Sequence, residues 1–153
     1  MVISSLNTSQ IADRLKLIQE SLFEMRKMAG MSLPDFLSDR RNPASTESFL
    51  RRSLEAVFDI GRHILAKSRG KKIIEYKEIA LFLGREKVIP LELSQKLIPI
   101  AGYRNRLVHF YHEISDKELY EIIKKDLGDI EDFVKAIERF LRVYRRNIHK
   151  VRE

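Results

Sequence analysis

Apolar residues recur every three or four positions along almost the whole chain, and this spacing constrains the fold more than any other feature of the sequence. The spacing places them on one face of an α-helix, whereas the alternation typical of a half-buried strand is almost absent. Only six Gly and four Pro occur among the 153 residues, so few positions interrupt a helix. The pattern therefore predicts an all-α protein. Because no change in composition marks a linker, we expect a single domain over residues 1–153.

Capping and stop signals divide this pattern into four long helices and two short ones. The long helices are expected from Ser9 to Ala29, from Pro43 to the basic segment that begins at Arg69, from Pro90 or Leu91 towards His109, and from the Ser115 cap to about Tyr144. The short ones are a single turn at Asp35–Leu37 and a helix from Tyr76 to Leu83. Since the connections are short, we expect an antiparallel helical bundle of four long helices plus short helices.

Helix ends are predicted from residues that satisfy or terminate the backbone hydrogen-bond ladder. Thr8, Asn42 and Ser115 are the predicted N-caps, because short polar side chains accept hydrogen bonds from the free N–H groups of the first turn. Gly30 and Gly84 are the predicted stops.

Two further residues are expected to disturb helices. Pro99 lacks an N–H group, so it is predicted to interrupt and kink the helix around it. Gly128 is expected to weaken the middle of the last helix. The second long helix carries the clearest core face, formed by Leu50, Leu54, Val57, Gly61 and Ile64.

Composition excludes several classes of site. The chain has no Cys, which excludes disulfides, thiolate zinc sites and a Cys nucleophile. The apolar run at 79–83 is too short to cross a bilayer, and the N-terminus lacks the pattern of a signal peptide. We therefore expect a soluble cytoplasmic protein without a membrane segment. The net charge of +7 favours polyanionic partners such as nucleic acid, nucleotides or an acidic protein.

The segment from Gly102 to Glu113 combines the residue types that phosphodiester cleavage needs. The fork of donors on Arg104 suits a phosphate and keeps its charge at any cellular pH. His109 can move a proton near neutrality. One group of such a pair transfers the proton of a ribose 2′-hydroxyl or of the leaving oxygen, and the other stabilises charge at phosphorus.

Helical spacing alone leaves the role of these residues open. Arg104 and His109 are five positions apart, about 140° around an ideal helix. They converge if the arginine bends round, if the helix unwinds near His109, or if a dimer joins two copies at one cleft. Asn105 shares a helix face with His109, and Tyr111 aligns with Arg104 if the helix continues. The alternative is that all of them are ordinary surface or packing residues.

The sequence RNRLVHFY at 104–111 resembles the R-x4-H-x-Y signature of the HepT-type toxins in the HEPN superfamily. Two more blocks support the resemblance. The stretch 49–66, with its DIGRHIL run, is similar to the second long helix of the family. Asp126-Leu127, followed by Ile130, Phe133 and Ile137, is similar to the last helix. The resemblance covers the chain from Phe49 to Phe140.

This resemblance implies a HEPN-type helical homodimer that acts as a metal-independent endoribonuclease toxin on RNA, with no cofactor. Arg104 and His109 take the catalytic roles, supported by Asn105 and by Asp59, which is expected to orient the site. Tyr111 takes the place of the tyrosine that a partner nucleotidyltransferase antitoxin adenylylates. The chain departs from the family at Pro99 and in its basic C-terminal tail at 145–150.

Other interpretations stay open on the sequence alone. The chain is alternatively a non-catalytic helical partner, or a nucleotide- or substrate-binding module, of a nucleotidyltransferase, or a structural or regulatory dimer. It lacks a Gly-rich phosphate loop, so it is not expected to be the nucleotidyltransferase itself. Asp59 and His63, four positions apart, suit an ion pair better than a metal site. Arg51, Arg52 and Arg62 either extend a phosphate-binding surface or form a solvated face, and the same holds for Tyr144, Arg145 and Arg146.

Overall fold

The computed structural model describes residues 5–69, 73, 75–109 and 114–152, and these residues form seven helices and no strand. The helices are α1 (Thr8–Ala29), α2 (Leu33–Ser38), α3 (Arg41–Arg69), α4 (Tyr76–Arg85), α5 (Leu91–Val108), α6 (Asp116–Lys125) and α7 (Leu127–Arg152). The all-α prediction is confirmed. In the described part of the chain, no helix is long and apolar enough to cross a membrane.

Helix α3 is the centre of the fold and contacts α1, α2, α4, α5 and α6. The face predicted for it is buried, from Leu50 through Gly61 to Ile64. Phe36, Phe58 and Phe133 are fully buried and bring α2, α3 and α7 into one continuous core. Helices α4 and α5 pack on each other and on α3, and this arrangement brings the first residues of α4 beside the second half of α5.

Two of the three predicted N-caps are wrong, because Thr8 and Asn42 lie inside helices rather than before them. The side chain of Asn7, not Thr8, accepts from the N–H of Gln10 (3.0 Å) at the start of α1. Helix α3 begins at Arg41, whose N–H donates to Asp39 (2.9 Å), and the amide of Asn42 donates to the carbonyl of Phe36.

The third cap and the first stop are confirmed. The hydroxyl of Ser115 accepts from the N–H of Glu118 (3.1 Å) at the start of α6. Helix α1 ends at Ala29, with Gly30 as its C-cap.

Gly84 is not the stop predicted for α4, which continues to Arg85. A Cβ atom on Gly84 would lie 2.5 Å from the Cβ of Ser94, a distance that real side chains do not tolerate. The glycine therefore serves the close approach of α4 to α5. The hydroxyl of Ser94 completes this contact by donating to the carbonyl of Ala80 (2.8 Å).

Two predicted helices differ from the structure in whether they are continuous. Helix α5 runs through Pro99 to Val108 as one element, so the predicted interruption is wrong. Pro99 is exposed, so water can reach the carbonyl that its missing N–H leaves without a donor. The last predicted helix is divided at Asp126, a residue type that favours helix starts over helix interiors. Gly128 therefore lies in the first turn of α7 rather than in the middle of a helix.

Candidate active site

Arg104 projects from the second half of α5 onto the ring of Tyr76, the first residue of α4. The central carbon of its guanidinium lies 4.1 Å from the ring centroid. The Nε atom of Arg104 is buried and has no hydrogen-bond partner among the described residues. A buried donor without an acceptor is costly in a folded protein. The ring of Tyr76 thus holds the face of the guanidinium, and the buried Nε donor is left unsatisfied.

The Tyr76 ring is fixed by contacts on α3. The ring of Phe58 meets it edge-on, with 5.2 Å between the centroids and 68° between the planes. The guanidinium of Arg62 also lies against the ring, at 5.3 Å. Arg62 donates from Nε to the carbonyl of Ile73 (3.1 Å) and pairs with Asp59 (3.4 Å).

Asp59 lies at the other end of this chain of contacts. One carboxylate oxygen accepts from Arg62, and the other lies 3.7 Å from Arg14 of α1. Asp59 is thus connected to Arg104 through Arg62 and Tyr76, and among the described residues no ion pair joins Asp59 to Arg104 directly. The expected pairing of Asp59 with His63 is not found, because the Nε2 atom of His63 accepts from the N–H of Asn7 (3.1 Å).

His109 follows the last residue of α5 and has left the helical conformation, with φ −100° and ψ 119°. Its N–H still donates to the carbonyl of Asn105 (3.2 Å), and its side chain is exposed. The helix therefore ends between Arg104 and His109. Unwinding near His109 is one of the three arrangements that would let these two residues converge. No hydrogen bond or ion pair connects Arg104 with His109 in the part of the chain that the structure describes. Tyr111 lies outside the described residues.

Two neighbours of Arg104 fix the end of α5 to the α6–α7 region, and the motif gave no sign of either contact. Arg106 forms a two-pronged ion pair with Glu118, and its second bond measures 2.8 Å. Hydrogen bonding to Arg106 lowers the pKa of Glu118. On the other side, burial raises the pKa of Asp126, an effect that the neighbouring hydroxyl of Tyr103 opposes. Arg106 differs from Arg104 because α6 brings the carboxylate of Glu118 beside it.

A wide groove lies away from these residues. It has a volume of about 1230 Å³ and runs between the α4–α5 connection and the C-terminal half of α7. None of the predicted site residues lines it. Tyr144 does, but its hydroxyl accepts from the N–H of Leu6 (2.9 Å), so it packs within the fold. Among the described residues, no cluster of three His, Cys, Asp or Glu side chains has the arrangement of a metal site.

Comparison with known proteins places the chain among nucleases. A family model described as "Ribonuclease HepT-like" matches residues 18–137. A tRNA nuclease HepT from Aphanizomenon flos-aquae is 33% identical over 131 residues, which are 86% of this chain and 89% of that protein. An mRNA nuclease HepT from Shewanella oneidensis is 28% identical over 89 residues, 58% of this chain and 67% of that protein.

Solved structures share the fold over most of their length. A tri-AMPylated Shewanella oneidensis HEPN toxin in complex with an MNT antitoxin superposes with a TM-score of 0.75 at 24% identity, covering 85% of this chain and 97% of that one. The cytosolic protein YutE of unknown function from Bacillus subtilis gives a TM-score of 0.77 at 22% identity, covering 91% and 93%. The chain therefore shares its fold with these solved structures.

Proposed function

The chain belongs to the HepT-like ribonuclease family, and on that premise we propose that it is an RNA-cleaving toxin in which Arg104 and His109 act on the phosphodiester backbone. Family membership confirms the resemblance found in the motif and the prediction of a ribonuclease, and the solved HEPN toxins confirm the HEPN-type fold. The roles of individual residues, the independence from metal ions, the RNA substrate and the partner are the content of the proposal.

The observation that supports this proposal most is the state of Arg104. Among the described residues it has no carboxylate partner, its Nε donor is buried without an acceptor, and a ring holds the face of the guanidinium. The positive charge of this guanidinium therefore lacks a carboxylate partner among the described residues, and a charge-assisted bond to phosphate is stronger than one to a neutral group. By contrast, Arg106 two positions later is occupied by Glu118.

His109 supplies the proton transfer in this scheme. When the ribose 2′ oxygen attacks phosphorus, its proton must leave, the bond from phosphorus to the 5′ oxygen breaks, and that oxygen must gain a proton. The exposed imidazole of His109, at the end of α5, performs one of these two transfers. Arg104 stabilises the charge that develops on the phosphate oxygens. Asn105, whose backbone carbonyl accepts from the N–H of His109, is the polar residue beside Arg104 to which we assign a supporting role.

We further propose control by a nucleotidyltransferase antitoxin. The Shewanella oneidensis HEPN toxin was solved in AMPylated form together with its MNT antitoxin. Tyr111 of this chain holds the tyrosine position of the motif, so it is the residue that we assign as the acceptor. An attached AMP phosphate competes for Arg104 and excludes the RNA backbone from it.

The proposed function is tested by RNA cleavage with purified protein. We expect Arg104→Ala and His109→Ala each to lose about a hundredfold or more in rate, because each removes a charge-stabilising or proton-transferring group. Arg142→Ala and His149→Ala are matched controls on the exposed surface of α7 and should cleave at the original rate. Full cleavage by the His109→Ala protein, or loss of cleavage on adding a chelator, contradicts the proposal. Absence of cleavage by the original chain supports the non-catalytic alternative.

A further inference from the structure

We propose that Tyr76 is a positioning residue for Arg104, and that its ring holds the guanidinium with its donors directed to the RNA phosphate. The inference deepens the proposed function and rests on it for its consequence in catalysis. The residue lies outside the motif at 104–111 and is carried by a different helix.

The contact between Tyr76 and Arg104 uses the face of the guanidinium. A cation 4.1 Å from a ring centroid is well within the range of a cation–π interaction. Such a stack leaves the N–H groups at the edge of the guanidinium free to donate. A carboxylate partner holds an arginine by those same N–H groups, as Glu118 holds Arg106. The tyrosine ring therefore orders Arg104 without occupying the donors that phosphate binding requires.

Tyr76 is itself held strongly enough to serve as a platform. Phe58, which is fully buried, meets its ring edge-on. The guanidinium of Arg62 rests against the same ring and is tied to the carbonyl of Ile73 and to Asp59. Contacts from α3 and from the segment before α4 thus fix the ring before any substrate arrives.

The charges around the ring differ in how they are compensated. Arg62 pairs with Asp59, which also lies beside Arg14, whereas no ion pair to Arg104 is found among the described residues. Two guanidinium groups against one ring make this part of the surface positive, which favours a phosphate beside Arg104. Asp59 holds Arg62, and Arg62 lies against the Tyr76 ring, so Asp59 can orient the site indirectly, as expected for it.

The test compares Tyr76→Phe with Tyr76→Leu in the full chain. Phenylalanine keeps the ring, so cleavage should remain close to that of the original protein. Leucine removes the π face while preserving an apolar side chain, and kcat should fall roughly tenfold, the loss that corresponds to a partly desolvated cation–π contact. Tyr120→Leu is the matched control, because Tyr120 is also partly buried and packs against another phenylalanine, Phe36, but does not contact Arg104.

A spectroscopic measurement separates positioning from a general effect on folding. The Nε–H signal of Arg104, identified by its disappearance in Arg104→Lys, should be displaced by the ring current of Tyr76 in NMR spectra. The displacement should persist in Tyr76→Phe and Tyr120→Leu and disappear in Tyr76→Leu. Thermal unfolding of each variant verifies that the comparison is made between folded proteins.

Three outcomes distinguish this inference from the proposed function. If the original protein does not cleave RNA but the displaced signal is present, the ring contact stands and the catalytic proposal fails. If the protein cleaves RNA and Tyr76→Leu cleaves at the same rate, the positioning role is overturned, whether or not the signal moves. If Tyr76→Phe loses as much activity as Tyr76→Leu, the hydroxyl rather than the ring is responsible and the inference is also overturned.

Discussion

At the scale of single residues, His63 joins the N-terminus of α1 to α3. Its Nε2 atom accepts from the N–H of Asn7, which requires the neutral imidazole. Burial lowers the pKa of His63 below its usual 6.5, and the charges of Lys67 and Arg14 lower it further. The folded protein therefore binds this proton less readily than the unfolded chain does.

This shift predicts a loss of stability on acidification. The contribution of His63 is fully present above its unfolded pKa of 6.5 and is lost as the pH falls from there through the lowered folded pKa, because the unfolded chain gains the proton first. Urea unfolding between about pH 7.5 and pH 5 measures the effect. His63→Gln keeps an acceptor but cannot titrate, so its stability should depend less on pH. The same pH dependence in both proteins would assign the effect to other groups.

The sequence identified the residues of the motif but not what surrounds them. Arg104 and His109 are identifiable from the sequence because they lie close together in a recognisable pattern, and an unwound helix near His109 is one of the arrangements that this pattern allows. Tyr76 precedes Arg104 by a whole helix and a connection, so no rule of helical spacing associates the two. Their contact depends on how α4 packs, and Gly84, which the local pattern describes as a helix stop, instead allows α4 to approach α5 closely.

At the scale of elements, α4 is the piece that connects α3 to α5. A Cβ atom on Gly61 of α3 would lie 2.7 Å from Ile79 and 2.9 Å from Leu83, both on α4. Gly84 of α4 meets Ser94 of α5 in the same way. Two glycines on opposite sides thus allow α4 to lie close to both neighbours.

Replacing Gly84 by alanine should therefore lower the stability of the protein, although alanine has the higher helix propensity. Gly84→Ala forces α4 and α5 apart and should lower the free energy of unfolding by about 1–3 kcal/mol, the usual cost of overpacking. Gly102→Ala is the matched control inside α5, because nothing lies within 4 Å of its added Cβ. It should raise the free energy of unfolding by about 0.5–1 kcal/mol through better helix propensity. Chemical denaturation measures both, and equal effects would contradict the packing argument.

Element boundaries were predictable where a local signal dominates. Ser115 caps α6 because its hydroxyl satisfies a neighbouring N–H, and this interaction needs only the adjacent residues. The division between α6 and α7 was not predicted, because the apolar face continues unbroken across Asp126. The break falls at Asp126, which is buried, and that burial is a property of the tertiary structure.

At the scale of the whole molecule, the resemblance predicts a homodimer with the motif near the shared cleft. We expect a two-fold symmetric dimer, the commonest oligomer type, with an interface that includes part of α3 and the segment around Arg104. Light scattering at micromolar concentration should give twice the chain mass of 18.0 kDa. A mass equal to one chain would contradict the expected dimer but would leave the role proposed for Arg104 untouched.

Modification of Tyr111 is tested on the intact protein. Co-expression with a nucleotidyltransferase encoded beside it should add mass in units of AMP and abolish RNA cleavage, since the added phosphate competes for Arg104. Tyr111→Phe should acquire no such mass. An increase that persists in Tyr111→Phe would place the modification on another residue.

Helices α4 and α5 meet at two points with different partners. Near the turn that joins them, Gly84 leaves no space for a side chain beside Ser94. Farther along, the ring of Tyr76 lies against the guanidinium of Arg104. The two points are ten residues apart on α5, roughly 15 Å along its axis. The close contact of Gly84 with Ser94 thus helps to set the distance between the Tyr76 ring and Arg104. Under the proposed function, substitutions at Gly84 or Ser94 should change the rate of RNA cleavage although Arg104 and His109 stay the same.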